Sequence, residues 1–289
     1  MHDYLLSVFL GIVEGLTEFL PVSSTAHLRI AEKFLDIKLD DGYWKMYSIV
    51  IQLGAILSLL VYFWGRIGKF ITTFPRGERS NRTILTHPLS LTLIAFVVTA
   101  IPAYLLHKKI GQNLENLHII AFALLIGGVI MWIVDSVYTH PRILHMEDMG
   151  LFQAVWIGAM QILSAVFPGT SRSMSTIAAG QVAEMSRSAA LEFSFFLSIP
   201  TMIVATCYEL KKAVFPGHAD PTDTLAPIAM DAHKWVVLAI GFIVSFIVAL
   251  AVVAWFIHWV RRRGFVPFAI YRILLGTALL LWGAKYIGS

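Results

Sequence analysis

The sequence predicts an all-α polytopic membrane protein made of two inverted repeats, each a re-entrant helix hairpin followed by three transmembrane helices. Three observations carry that expectation: the composition, the spacing of the apolar runs, and an internal similarity between the halves. Of 289 residues, 57% are hydrophobic and 14% charged, with a mean hydropathy of +0.74, whereas soluble domains hold roughly 45–50% and about 25%. A soluble fold cannot hide that much apolar surface.

Runs poor in charge extend from Met46 to Trp64, Leu89 to Leu106, Ile119 to Val137, Phe193 to Tyr208, Trp235 to Trp259 and Phe265 to Tyr286. Each is near the ~20 residues that a spanning helix needs, so six full crossings are expected. The earlier stretch from Tyr4 to Leu20 is different. It lacks a basic leading region and carries Glu14 and Glu18, which argues against a cleaved signal peptide, so it is expected to stay in the mature protein.

Gly11 to His27 (GIVEGLTEFLPVSSTAH) aligns with Gly158 to Met174 (GAMQILSAVFPGTSRSM), 147 residues further on, matching Glu14 with Gln161, Pro21 with Pro168 and Ser24 with Ser171. In each copy an apolar helix ends at a proline and a run of hydroxyl residues. A second helix comes next, Ser24 to Leu35 or Ser171 to Ala183, which at ~1.5 Å per residue covers only about 18–20 Å. Each pair reads as a re-entrant hairpin, and the three crossings after it, an odd number, invert the second half. The expected organisation is one membrane domain over residues 1–289, with repeat one at about 1–140 and repeat two at about 148–289.

The formal charge of +4 does not point to nucleic acid, because the basic residues lie in loops between spans. One face collects Arg66, Lys69, Arg76, Arg79, Arg82, Arg142, Arg187 and Arg261 to Arg263, with Glu78, Glu147, Asp148 and Glu184 among them. The other carries Lys38, Lys45, Lys108, Lys109, Lys211, Lys212 and Lys234, diluted by Asp36, Asp40, Asp41, Glu115, Asp220, Asp223 and Asp231. The arginine-rich face is expected in the cytoplasm and both termini outside. Cys207 is the single cysteine, so no intrachain disulfide forms.

Glu14 and Glu18 are four residues apart, hence on one helix face, and each costs a few kcal/mol against lipid. They need a polar cavity, a partner or a metal; the plainer reading is a pair that only hydrogen-bonds within the bundle. Pro21-Val22-Ser23-Ser24-Thr25-Ala26-His27 comes next, supplying hydroxyl caps and a helix N-terminus, an anion site. His27 is one turn beyond Ser24 and suits a proton shuttle, a base or a metal ligand. Pro168-Gly169-Thr170-Ser171-Arg172-Ser173 repeats the device with an arginine, whose planar fork suits phosphate oxygens; an Arg–Glu ion pair is the alternative. If the breaks meet, dipoles and donors bind phosphate and the carboxylates imply a divalent ion or proton transfer. Gln52, Glu192 and Ser194 read as outer support, and Asp135, Pro102 and Pro200 as packing residues, kinks or helix ends.

These residues resemble the bacterial undecaprenyl-diphosphate phosphatases, also called bacitracin-resistance proteins, over essentially the whole chain. The resemblance rests on Glu14 to Thr25 with His27, on Pro168 to Ser173, and on the blocks Ile51-Gln52-Leu53-Gly54 and Glu192-Phe193-Ser194-Phe195. It implies hydrolysis of undecaprenyl diphosphate to the monophosphate carrier for cell-wall synthesis, with magnesium or calcium assisting, at a site open to the outer face. It places the essential residues at Glu14, Glu18, Ser24, His27 and Arg172, with Ser23, Thr25, Thr170, Ser171 and Ser173 around the phosphates and Glu14 and Glu18 as metal ligands. Two departures stand out: Ala26 where the family has glycine, and Met174-Ser175 where it has Gly-Ala. Met174 is expected to narrow the pocket or alter the choice of lipid.

Inverted repeats with broken helices also suit a transporter or flippase of an anionic lipid or phosphate compound; reactive groups around Ser24 favour an enzyme. The phosphatidic-acid-phosphatase type needs a histidine six residues after its arginine, where this chain has Ala178. A purely structural scaffold does not need charges buried in the bilayer. Ser24, His27 and metal-bound water are all open as nucleophile, and Ser24 is favoured for its place at a helix N-terminus, with His27 or Glu18 as its base. A homo-oligomer is left open.

Overall fold

The computed structural model describes residues 2–37, 42–77, 82–106, 116–214 and 230–286, leaving aside the side chains of 209–210, 212–214 and 283–286. Among them the chain is helical, with no strand beyond a single bridge between Ile143 and Met185. Helix α1 (His2–Thr17) and α2 (Ser24–Phe34) form the first hairpin, succeeded by α3 (Gly42–Tyr62), a short α4 (Trp64–Thr72), α5 (Pro88–Leu105) and α6 (Leu117–Val137). A 3-10 turn at Met146–Asp148 leads to α7 (Leu151–Val166) and α8 (Arg172–Val182), the second hairpin, then α9 (Arg187–Val214), α10 (Ala232–Arg263) and α11 (Val266–Tyr286).

Five helices, α3, α5, α6, α9 and α10, are long and apolar enough to cross a membrane, which makes the chain a polytopic membrane protein. The sixth expected crossing coincides with α11, a helix of 21 residues that buries Arg272 in its apolar length. Helices α1 and α7 have 16 residues each, and α2 and α8 have 11 each, all below the ~20 residues of a span.

Backbone conformation explains why the chain breaks where it does. Ser23 and Ser171, the N-caps of α2 and α8, have φ of 73° and 71°, a left-handed conformation that costs a non-glycine residue on the order of 1–3 kcal/mol. Each offsets part of that cost by capping, with Ser23 Oγ accepting from Ala26 N at 3.4 Å and Ser171 Oγ from Met174 N at 3.3 Å. The caps pair Ser23 with Ser171, one residue off the alignment of Ser24 with Ser171, and the second break (167–171) is one residue shorter than the first (18–23).

The hairpins lean on long helices through small residues. A Cβ on Gly15 would stand 2.8 Å from the Ser245 carbonyl of α10, and one on Gly158 2.5 Å from the Ala95 carbonyl of α5. Close backbone approach of this kind is how helices associate where lipid removes the hydrophobic drive. Phe19 then seats the first break edge-on against Phe195 of α9, with ring centroids 5.4 Å apart.

Arg272 joins the breaks. Its guanidinium is fully buried and donates to the carbonyls of Pro21 at 3.1 Å, Gly169 and Thr170 at 3.0 Å, and Ala123 of α6 at 3.1 Å. A helix interrupted inside an apolar core leaves carbonyls without partners, and one planar fork satisfies several of them.

The arginine-rich end is tied by ion pairs. Arg66 reaches Glu192 at 2.9 Å and Glu147 at 3.1 Å, Arg82 meets Asp148 at 3.2 Å, and Arg142 meets Glu184 at 3.4 Å. Burial opposes the charge on Arg66, but the carboxylates of Glu192 and Glu147 outweigh it and leave its pKa raised. Asp135, buried at the end of α6, accepts from Arg187 Nε at 2.6 Å, Gln181 Nε2 at 3.0 Å and Phe265 N at 2.9 Å, a packing role as expected. Of the charges assigned to the two faces, Lys38, Asp40, Asp41, Glu78, Arg79, Lys108, Lys109, Glu115, Asp220 and Asp223 lie outside the described residues.

Two measurements check this packing. Gly54→Val sets a side chain directly against the Phe242 carbonyl and is expected to destabilise by about 1–3 kcal/mol. Gly68→Ala, where a Cβ meets nothing within 4 Å, should be neutral or stabilise by up to ~1 kcal/mol; equal melting temperatures in detergent would contradict the helix contacts. Arg272→Met should lower both melting temperature and turnover, since it strands carbonyls worth about 1–3 kcal/mol each; an unchanged protein would show that the breaks hold without the clamp.

Candidate active site

The two breaks place Glu18, Ser24 and Arg172 in one hydrogen-bonded group. Ser24 Oγ donates to Glu18 Oε2 at 2.6 Å, while Arg172 Nη2 donates to Glu18 Oε1 at 2.8 Å. All three come from helix ends, Glu18 just after α1, Ser24 at the start of α2 and Arg172 at the start of α8. Ser173 Oγ braces the group by donating to the Leu20 carbonyl at 2.9 Å.

Two polar groups here lack a well-formed hydrogen bond, although the Glu14 carboxyl lies close enough to interact with that of Glu18. Both carboxylate oxygens of Glu14 and the Nη1 of Arg172 are buried without a hydrogen bond among the described residues. Buried charges are normally paired or bound to a ligand, so an unsatisfied carboxylate and a half-used arginine fork one helical turn from a shared glutamate mark a place for a cation and an anion. The described residues hold no cluster of three or more His, Cys, Asp or Glu. Magnesium is commonly bound by one or two carboxylates, with substrate phosphate and water completing the shell, so Glu14 and Glu18 fit as such a partial set.

The remaining expected residues surround this group without all joining it. Ser23 and Ser171 spend their oxygens on capping, with Ser171 Oγ also 3.1 Å from Ser173 Oγ. The side chains of Thr25 and Thr170 make no hydrogen bond among the described residues, although the Thr170 carbonyl takes part in the Arg272 clamp. His27 is not joined to Ser24. Its Nδ1 lies 2.7 Å from the Ser23 carbonyl and its Nε2 2.6 Å from the Tyr271 hydroxyl. Of the two bases expected for Ser24, Glu18 is the one in contact.

Among the outer residues, Ser194 Oγ reaches Thr176 of α8 at 2.7 Å, whereas Glu192 turns to Arg66 and Gln52 makes no hydrogen bond among the described residues. Met174 is buried with its methyl carbon 2.7 Å from the position of a Gly127 Cβ, beside the Arg272 guanidinium. Its terminal methyl therefore occupies the space over Gly127. Gly127 has no side chain to compete for it.

Sequence reasoning missed Arg272 and Tyr271. The signal for Arg272 was present, an arginine inside an apolar run, and the cost argument applied to Arg172 applies to it equally. Tyr271 carried no such signal, because tyrosine is ordinary in a membrane helix.

Residues 7–278 match the family described as Bacitracin resistance protein BacA. A protein of Koribacter versatilis named undecaprenyl-diphosphatase is 63% identical over 287 residues, covering 99% of this chain and 100% of that one. An undecaprenyl-diphosphatase 1 of Frankia alni is 40% identical across 94% of this chain and 93% of its own, and an undecaprenyl-diphosphatase of Caldanaerobacter subterraneus is 40% identical across 99% and 98%. The chain belongs to the bacitracin-resistance protein family.

Proposed function

We propose that the chain hydrolyses undecaprenyl diphosphate to undecaprenyl phosphate and inorganic phosphate, regenerating the lipid carrier for peptidoglycan synthesis. The observation that carries the reading is the Ser24–Glu18–Arg172 group with two unsatisfied partners beside it. A hydroxyl bonded to a carboxylate next to a free guanidinium edge is the equipment of phosphoryl transfer; a transporter needs the anion site but not the activated hydroxyl.

In this reading Arg172 Nη1 and the N-termini of α2 and α8 hold the oxygens of the terminal phosphate. Ser24 Oγ attacks its phosphorus while Glu18 takes the hydroxyl proton and passes it to the departing lipid phosphate as that P–O bond breaks. The carboxylate, bare again, takes a proton from a water that attacks the phosphoserine, and returns it to Ser24 Oγ as the Oγ–P bond breaks and inorganic phosphate leaves. Glu14 and Glu18 would hold magnesium or calcium, which neutralises phosphate charge when bound. His27 acts on the lipid side of the site, away from Ser24. Ser23, Thr25, Thr170, Ser171 and Ser173 shape the anion pocket.

Charge asymmetry sets the placement in the membrane. The arginine-rich end faces the cytoplasm, both termini and the site face outward, and the membrane is the bacterial inner membrane. Supporting the inverted-repeat reading are the equal lengths of α1 and α7 and of α2 and α8, with both cap serines left-handed.

Phosphate release by purified protein in detergent tests the reaction. Ser24→Ala should lose at least about 10³-fold in kcat and Arg172→Lys on the order of 10²-fold, because lysine keeps the charge but not the fork. A chelator should abolish wild-type turnover, with magnesium or calcium restoring it. Near-normal turnover by Ser24→Ala would make water the attacker and remove the phosphoserine step. For topology, Thr139→Cys in a Cys207→Ala background should resist an impermeant thiol reagent in intact cells and react after lysis; labelling of intact cells would invert the orientation.

A further inference from the structure

Helices α1, α2 and α11 enclose an apolar groove of about 370 Å³, walled by Phe9, Val13, Ile30, Phe34 and Leu275, within the roughly 300–1,000 Å³ of ligand clefts. The polar side chains among its lining residues are His27 and Tyr271. Their rings lie nearly parallel, 11° apart with centroids at 5.6 Å, and the hydroxyl of one meets Nε2 of the other at 2.6 Å.

The bonding fixes the chemistry of the imidazole. Nδ1 faces the Ser23 carbonyl at 2.7 Å; a carbonyl only accepts, so Nδ1 carries a hydrogen. Nε2 is then the nitrogen free to give or take a proton. Tyrosine is suited to hold it in both states, since its hydroxyl donates to a bare Nε2 and accepts from a protonated one. Tyr271 is itself fixed in place, because the next residue is Arg272, clamped to the carbonyls of both breaks.

We propose that Tyr271 is a positioning residue for His27, its hydroxyl holding the ring, whose tautomer the Ser23 carbonyl sets, at the groove wall. There an isoprenoid chain lying in the groove brings its lipid-proximal phosphate to the Tyr271 hydroxyl, through which the phosphate exchanges a proton with Nε2. This rests on the phosphatase reading of the site. It gives the substrate a direction, with the terminal phosphate at Ser24 and Arg172, the proximal phosphate at Tyr271 and His27, and the first apolar units among Phe9, Ile30 and Phe34.

The test is phosphate release from undecaprenyl diphosphate by purified Tyr271→Phe, His27→Asn and the double variant. Tyr271→Phe keeps the ring and the groove wall and loses only the hydroxyl. It should lower kcat about tenfold with KM within about twofold, and add no further loss in the His27→Asn background. Nitrogen NMR of protein labelled at histidine, with the His27 signal found by its loss in His27→Asn, should show the Nδ1–H tautomer in both proteins and an Nε2 resonance displaced in Tyr271→Phe by the loss of its hydrogen bond. Multiplicative losses, a raised KM with unchanged kcat, or an unchanged Nε2 resonance would each overturn the positioning role. A fully active His27→Asn would instead remove His27 from the reaction, and with it this inference, while leaving the Ser24 chemistry standing.

Discussion

Two helix breaks buried against each other set the terms for the rest of the structure. Each interruption strands carbonyl groups in a core that supplies no water, and the Arg272 guanidinium answers them across the gap. Because that charge is met by carbonyl dipoles, it draws on neither the Glu14 nor the Glu18 carboxylate.

Glu18 is the point where the two halves of the chain communicate chemically. One oxygen takes the Ser24 hydroxyl from its own hairpin and the other takes Arg172 from the second. Neither hairpin contains the group alone. Arg172 is therefore already oriented before any anion arrives, with one nitrogen held and the other unfilled, so little ordering remains to be done on binding.

Much of this was legible from the residues. Glu14, Glu18 and Arg172 stood out because ionisable groups in apolar helices need a reason, and the hydroxyl runs marked the caps. What stayed hidden depended on three dimensions. The alignment put Ser24 opposite Ser171, and only the left-handed caps show that Ser23 is the counterpart. Sequence spacing set His27 on the face of Ser24, yet its ring turns to α11, which spacing along α2 cannot report. The seat of the Met174 methyl over Gly127 was hidden too, because Gly127 belongs to a helix distant in the chain.

The unequal length of the two breaks has an evolutionary consequence. Gly11 and Ser23 are separated by twelve positions, Gly158 and Ser171 by thirteen, yet α2 and α8 are both 11 residues long and end at left-handed residues, Asp36 and Glu184. The helix is framed by its own termini, so the connecting segment is free to change length without displacing the helix after it. Insertions and deletions there are a route by which a lineage reshapes the pocket floor while the groups that do the chemistry keep their places.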